Sequence, residues 1–402
     1  MRTPLHNFFK TCTATTVALL MVTSGCVTEE PDAGNGDTEV DIEDCVGNEF
    51  PSTIDEDTTI GPECHYVDSF VDVDNGTLTI APGTTLVFAE NRGINVHRDG
   101  DGRLHAEGTE DDPIVFTGEE ELDGFWQGIR YRSSVSQDNV LDNVVIEYAG
   151  SSEMRFADHT TGLLIDRSRV ELRDVTIRNS GDYGLLSLHS DSQIIMDGGT
   201  FTENGAPIRV ANPTTVGAID PNADLTGNDD DKIFVGNGTI VDDVVWEQFE
   251  IPLYARNITN EDHTMEIAAG NVVEFRQGGR INTIEDGRLN ATGTADAPII
   301  LQGEEPTTGY WNGIRYYDTT GADNALKFVE IRDGGGSDLR FADHAANLTI
   351  GRSLLSAEEL TLTNSGEYGV VISSPENTLD FDCSTITNDD GWIDENGDTP
   401  PC

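Results

Sequence analysis

One long stretch of this chain is written twice. Residues 101–184 align without a gap to residues 286–369 at a constant offset of 185 positions, and 41 of the 84 aligned residues are identical. Trp126-Gln127-Gly128-Ile129-Arg130-Tyr131 returns as Trp311-Asn312-Gly313-Ile314-Arg315-Tyr316. Arg155-Phe156-Ala157-Asp158-His159 returns as Arg340-Phe341-Ala342-Asp343-His344, and Asn179-Ser180-Gly181-Asp182-Tyr183-Gly184 as Asn364-Ser365-Gly366-Glu367-Tyr368-Gly369. A duplication of this length constrains architecture before chemistry, because whatever one copy folds into, the other must fold into as well.

Within the copies, apolar residues come in runs of three to five. Leu78-Thr79-Ile80, Leu86-Val87-Phe88, Ile114-Val115-Phe116, Val144-Val145-Ile146, Leu163-Leu164-Ile165 and Val175-Thr176-Ile177 are separated by Gly, Asn, Asp and Ser. Helical spacing is not sustained over three turns, and β-branched residues gather in the runs, so these are predicted strands. A finer period of 24 shows in Val170-Glu171-Leu172 against Ile194-Ile195-Met196, and in Ile177-Arg178-Asn179-Ser180-Gly181 against Phe201-Thr202-Glu203-Asn204-Gly205. Units this short cannot enclose a core alone and must stack on their neighbours. The fold class expected is all-β, a parallel β-helix, with halves at 51–215 and 216–402 continuous along one axis. Asn at equivalent turns is expected to form ladders that satisfy corner backbone groups. The rival, one β-sandwich per half, calls for hairpin dipeptides between antiparallel strands, and these are only sporadic.

Charge narrows the partners. Asp plus Glu total 74 against 23 for Lys plus Arg, a formal net charge of -51, and Lys occurs only at Lys10, Lys232 and Lys327. Nucleic acid needs a basic face and is not an expected partner. Mutual repulsion of so many carboxylates is relieved by salt or divalent cations, which points to a saline habitat, calcium loading or both.

Residues 1–25 read as a signal peptide: Arg2 and Lys10 flank the short run Thr16-Val17-Ala18-Leu19-Leu20-Met21-Val22, too short to span a bilayer. Thr23-Ser24-Gly25-Cys26 resembles a bacterial lipobox, in which Cys26 would carry the lipid; Thr23 departs from the usual aliphatic residue, so ordinary cleavage nearby is the alternative. Residues 26–50 are rich in Gly, Asp and Glu and form an expected flexible tether. Membrane contact is expected through the lipid anchor alone, on an exported protein at the outer membrane or cell surface. Of the remaining cysteines, Cys45 and Cys64 are 19 apart, as are Cys383 and Cys402, so one local disulfide at each end is expected. Zinc is the competing reading, without further His or Cys at ligand spacing.

Leu78-Thr79-Ile80-Ala81-Pro82-Gly83-Thr84, Gly102-Arg103-Leu104-His105-Ala106-Glu107-Gly108-Thr109, Pro113-Ile114-Val115-Phe116-Thr117-Gly118 and Trp126-Gln127-Gly128-Ile129 resemble the opening coils of secreted bacterial right-handed parallel β-helix proteins with a pectin-lyase-like fold. The resemblance covers about residues 55–390 and implies a right-handed solenoid. Polysaccharide lyases of that fold use carboxylate-bound calcium to neutralise a uronate and an Arg or Lys to take a proton. The Asn-Thr-Asp, Gly-His-Gly and Arg-Ile-Lys motifs of its polygalacturonase-like members are absent.

For that chemistry the candidates are Arg130, Arg155, Asp158, His159 and Asp182, with Arg315, Arg340, Asp343, His344 and Glu367 in the second copy. Arg130, Arg155 and Arg178 are spaced 25 and 23 apart, which would stack them as a basic column beside Asp158 and Asp182. The plainer reading makes the charges structural ion pairs, since a site needed once has no reason to appear twice. Likewise His159 and His344 read as hydrogen-bonded turn residues before ligands or bases, and Trp126, Tyr131, Trp311 and Tyr316 as core before sugar platforms. Calcium, the only cofactor considered, has two oxygen-rich candidates: Asp220, Asn222 and Asp224, and Asp394, Asn396 and Asp398. Neither completes an EF-hand. The function expected is a non-catalytic cell-surface lipoprotein whose solenoid binds a polysaccharide or another surface component; the alternative is a calcium-dependent lyase on acidic glycans.

Overall fold

The computed structural model describes residues 45, 50–97, 101–154, 158–319, 321, 323–340, 342–397 and 402. The signal segment, Cys26, most of the 26–50 tether, Arg155 and Asp398 lie outside the described residues. The chain is all-β and its strands pair in parallel, so that each coil lays three strands on three faces and returns to the first. One such coil runs Arg103–Glu107, Ile114–Gly118 and Gly128–Arg132, after which Val140–Asp142 lies back on Arg103–Glu107. This is a parallel β-solenoid.

The alternation of each strand explains its core. Inward residues stack face by face: Ala106, Leu141, Leu172 and Met196 on the first sheet; Phe116, Ile146, Ile177 and Phe201 on the second; Ile94, Ile129, Leu163, Leu185 and Ile208 on the third. All but Met196 are buried, and each buried Ile, Leu and Phe contributes roughly 1.5–3 kcal/mol of gross burial. The 24-residue period is a true register, with Val170 opposite Ile194 and Ile177 opposite Phe201. The expected Asn ladder exists at the next corner: Asn204 donates to the Ile177 carbonyl at 3.0 Å and to Asn228 Oδ1 at 3.1 Å, and Asn228 donates to the Phe201 carbonyl at 2.9 Å. In the first copy the corners between the first and second sheets turn through left-handed residues at Asn143, Asp174 and Gly198, and the matching corners of the second copy do so at Phe328 and Glu359. Cys45–Cys64 and Cys383–Cys402 both close as disulfides.

Parallel pairing continues without a break between the copies. Leu163, Leu185, Ile208, Ile233, Leu253, Val273 and Leu301 form one continuous row. The expected boundary at 215/216 falls inside a 3-10 turn, Pro213–Ala218, capped by Asn212 Oδ1 accepting from Thr214 N at 2.8 Å. That row carries a result the repeat alone does not show. Leu301 corresponds to Phe116, which in the first copy belongs to the second sheet, whereas Leu163 belongs to the third. The coils between the copies therefore shift the second copy round by one face, and matching residues do not share a face of the solenoid.

Candidate functional site

In the first copy the turn ahead of Thr161–Asp166 sets His159 Nδ1 3.0 Å from Asp182 Oδ2, with its ring edge-on to Tyr183 at 5.2 Å. The second copy repeats this: His344 Nδ1 lies 3.3 Å from Glu367 Oε2 and its ring 5.2 Å from Tyr368. Glu367 also accepts from Ala345 N at 3.0 Å, and this backbone bond, with His344 beside it, holds its carboxyl below the usual range. Burial pushes the Glu395 carboxyl up, although it accepts from the amides of Asp343 and His344. Asp343 and Glu367 border an open cleft of about 520 Å³ floored by Gly309, Gly335 and Gly366. A Cβ on Gly366 would come within 2.0 Å of the Gly335 carbonyl, so the three coils meet backbone to backbone there. Asp158 is exposed, one residue before His159.

Arg130 and Arg178 do not share the expected column. Arg130 lies opposite Asn95 and Leu164 on the third sheet, while Arg178 lies opposite Glu147 and Thr202 on the second. The reason is coil length: Arg130 and Leu164 are 34 positions apart and Glu147 and Arg178 are 31, so a spacing of 23–25 is not one turn in this part of the chain. Arg178 Nε donates to Glu147 Oε2 at 2.8 Å, and Arg173 Nη1 to Asp142 Oδ2 at 2.8 Å with Glu107 at 3.5 Å. The counterpart of Asp142–Arg173 in the second copy is Lys327–Glu358, an ion pair with its signs reversed. A pair that tolerates reversal holds coils together; a proton-transfer site would not survive it.

Arg315 is 8 % exposed; Nη1 donates to the Arg340 carbonyl at 3.1 Å, and Nε has no partner among the described residues. Trp126, Tyr131, Trp311 and Tyr316 are fully buried. Burial raises the Tyr131 and Tyr316 hydroxyls far above their ordinary pKa, which removes them as bases.

The two calcium motifs spend their oxygens locally. Asp220 Oδ1 accepts from Asn222 N and Nδ2, both at 2.9 Å, and Oδ2 from Gly198 N at 2.7 Å. Backbone donors hold the Asp220 carboxyl low. Asp224 Oδ1 accepts from Thr226 N and Oγ1, and Asp394 Oδ1 from Asn396 N and Nδ2. These are Asx-type turn locks. Among the described residues, no three His, Cys, Asp or Glu side chains gather as a metal site.

One feature escaped the sequence reading. Along the outer side of the row that joins the copies, His159, Tyr183, Phe234 and Tyr254 meet edge-to-face at 5.2, 5.4 and 5.1 Å. Arg209 lies over Tyr183 at 5.8 Å and Lys232 over Tyr254 at 5.1 Å. Tyr254 and Tyr310 both donate to Glu304 Oε2, at 2.8 and 3.1 Å. Phe234 and Tyr254 follow the 20-residue step of Ile233 and Leu253, a shorter period in the stretch between the two copies.

Compared with known proteins, the chain matches no family model, no curated protein and no solved structure.

Proposed function

We propose that this chain is an exported lipoprotein anchored through Cys26, whose right-handed parallel β-helix of the pectin-lyase-like kind, lengthened by internal duplication, binds a glycan or another cell-surface component without catalysis. The carrying observation is the outward aromatic row Tyr183–Phe234–Tyr254, with Arg209 and Lys232 over its ends. Phe234 and Tyr254, half-buried beside the buried Tyr183, offer apolar faces and edges to sugar rings, while the flanking cations and Glu304 offer hydrogen bonds to hydroxyls. The disulfides fit an oxidising compartment. Among the residues a lyase would draw on, His159 and His344 are held by Asp182 and Glu367 of the next coil, and the neighbouring ion pair Asp142–Arg173 is reversed in the second copy, as suits a link between coils.

A glycan array probed with the full chain tests this reading. Binding is expected, and Phe234→Ala with Tyr254→Ala should weaken it about tenfold through lost ring contact. Appearance of ultraviolet-absorbing unsaturated uronates on pectate or alginate would replace the reading with the lyase alternative.

A further inference from the structure

Seven arginines of this acidic chain are held by carboxylates. Arg103, Arg167, Arg169, Arg173, Arg178, Arg332 and Arg352 each form an ion pair with a carboxylate. Arg92, Arg209 and Arg288 form none within 4.0 Å among the described residues, and neither do Arg256, Arg276, Arg280 and Arg315. With three acids for every base in the sequence, cations left without acids mark a place where something else supplies the negative charge.

The last four sit together. Asn257, which follows Arg256, is paired with Arg280, and the Arg256 carbonyl lies so close to Gly279 that a Cβ there would be 2.6 Å away. On the next strand Ile314 is paired with Ile281, which places Arg315 one residue beyond the row of Arg280. Arg315 in turn reaches the Arg340 carbonyl. Burial depresses the Arg315 pKa, and the nearby charges of Arg280 and Arg340 depress it further, so three guanidinium groups share one neighbourhood. Arg256, Arg276 and Arg340 are exposed, Arg280 is half-buried, and buried Arg315 keeps Nε unpartnered among the described residues. Arg315 and Arg340 have counterparts in Arg130 and Arg155, but the place that Arg280 takes beside Gly313 is held in the first copy by Gly93, paired with Gly128. A site needed once should break the symmetry of a duplicated chain, and this one does.

We propose that Arg280, Arg315 and Arg340, with Arg256 and Arg276 at the adjoining corner, form a binding site for a polymer bearing tetrahedral oxyanion esters, sulfate or phosphate. A carboxylate presents two coplanar oxygens and satisfies one guanidinium fork. A sulfate or phosphate ester presents three oxygens in different directions and bridges forks arriving from successive coils. Spacing by coils also favours a polymer over a lone ion, because successive esters would meet successive arginines.

The test is binding of the full chain to immobilised dextran sulfate, polyphosphate, polygalacturonate and plain dextran in 50 mM salt. Either oxyanion polymer should bind, the stronger naming the ester, and polygalacturonate and dextran should bind at least about tenfold more weakly, with affinity falling as salt rises. Arg280→Gln with Arg340→Gln, both at accessible positions, should weaken binding about tenfold, while Arg103→Gln, which removes an arginine already paired with Asp138, should leave it unchanged. No oxyanion binding by the unaltered chain, equal binding of polygalacturonate, or a double variant indistinguishable from the parent overturns the proposal. Loss of the aromatic-row ligand on the glycan array leaves it standing, since these polymers are read separately.

Discussion

Residues 101–184 and 286–369 build the same three-sided coils, yet they differ in what they leave to solvent. Both bury a Trp and a Tyr at matching positions, pair a His with an acid at the same turn, and bring three glycine backbones of successive coils together. The first copy pairs Arg169, Arg173 and Arg178 with carboxylates; at the start of the second, Arg280 and Arg315 have no carboxylate partner among the described residues. The shared features face the core or the neighbouring coil, where stacking sets the same demand twice. The differing ones face outward, where stacking sets none. A one-face shift between the copies strengthens this: the outer surfaces cannot form one uninterrupted strip, so each is free to serve a different ligand.

The sharpest way to break the equivalence is through its common core. Trp126 stacks on Phe88 at 4.1 Å and donates Nε1 to the Glu147 carbonyl at 2.7 Å; Trp311 stacks on Phe275 at 4.2 Å and donates to the Arg332 carbonyl at 2.6 Å. Trp126→Ala and Trp311→Ala should each cost about 3–5 kcal/mol, since each leaves a cavity and an orphaned carbonyl. Urea unfolding with hydrogen exchange measures this. A cost for one variant less than half that of the other would mean that the two cores are not interchangeable.

A smaller effect comes from the corners. Asn143 and Phe328 occupy the same corner with φ of 47° and 48°. Asn tolerates that region and Phe does not, so the second copy stores strain that the first avoids. Phe328→Asn should raise stability by about 1 kcal/mol and Asn143→Phe should lower it by a similar amount. An unfolding midpoint that falls for Phe328→Asn would show that ring contacts, including Lys327 over the ring at 5.8 Å, outweigh backbone strain.

Much of this was legible before the structure because stacking imposes period and pattern on the sequence. Val170 and Ile194 were matched correctly since their coil carries no excursion, and the local cysteine pairs closed as their spacing suggested. The Arg130–Arg178 column failed because loops between strands lengthen some coils without changing the strands, so constant spacing stops reporting neighbours. The face shift was invisible because an alignment records offset along the chain and not angle about an axis. The aromatic row and the arginine cluster lie mostly in or beside the coils between the copies, where no repeat drew attention. Their signal was chemical: Arg256, Arg276 and Arg280 recur within 25 positions of a chain poor in bases.

The reversed ion pair gives the finest test of how far the copies are interchangeable. Glu107, Asp142 and Arg173 are in register on the first sheet, and their counterparts are Thr292, Lys327 and Glu358. Arg173 answers Asp142, Glu107 and Glu171, whereas Glu358 answers Lys327 with Thr292 and Ser356 in the matching places. Exchanging the signs in the second copy, Lys327→Asp with Glu358→Arg, keeps an isolated exposed pair and should change stability by less than about 0.5 kcal/mol. The same exchange in the first, Asp142→Lys with Arg173→Glu, sets a new carboxylate against Glu107 and Glu171 and should cost about 1 kcal/mol, partly recovered by adding Glu107→Thr. Unfolding in low and high salt separates the cases, because screening should shrink the first-copy loss and leave the second-copy pair unmoved. Equal losses in both copies would mean that the surrounding acids, and not the register of the pair, decide how these coils hold together.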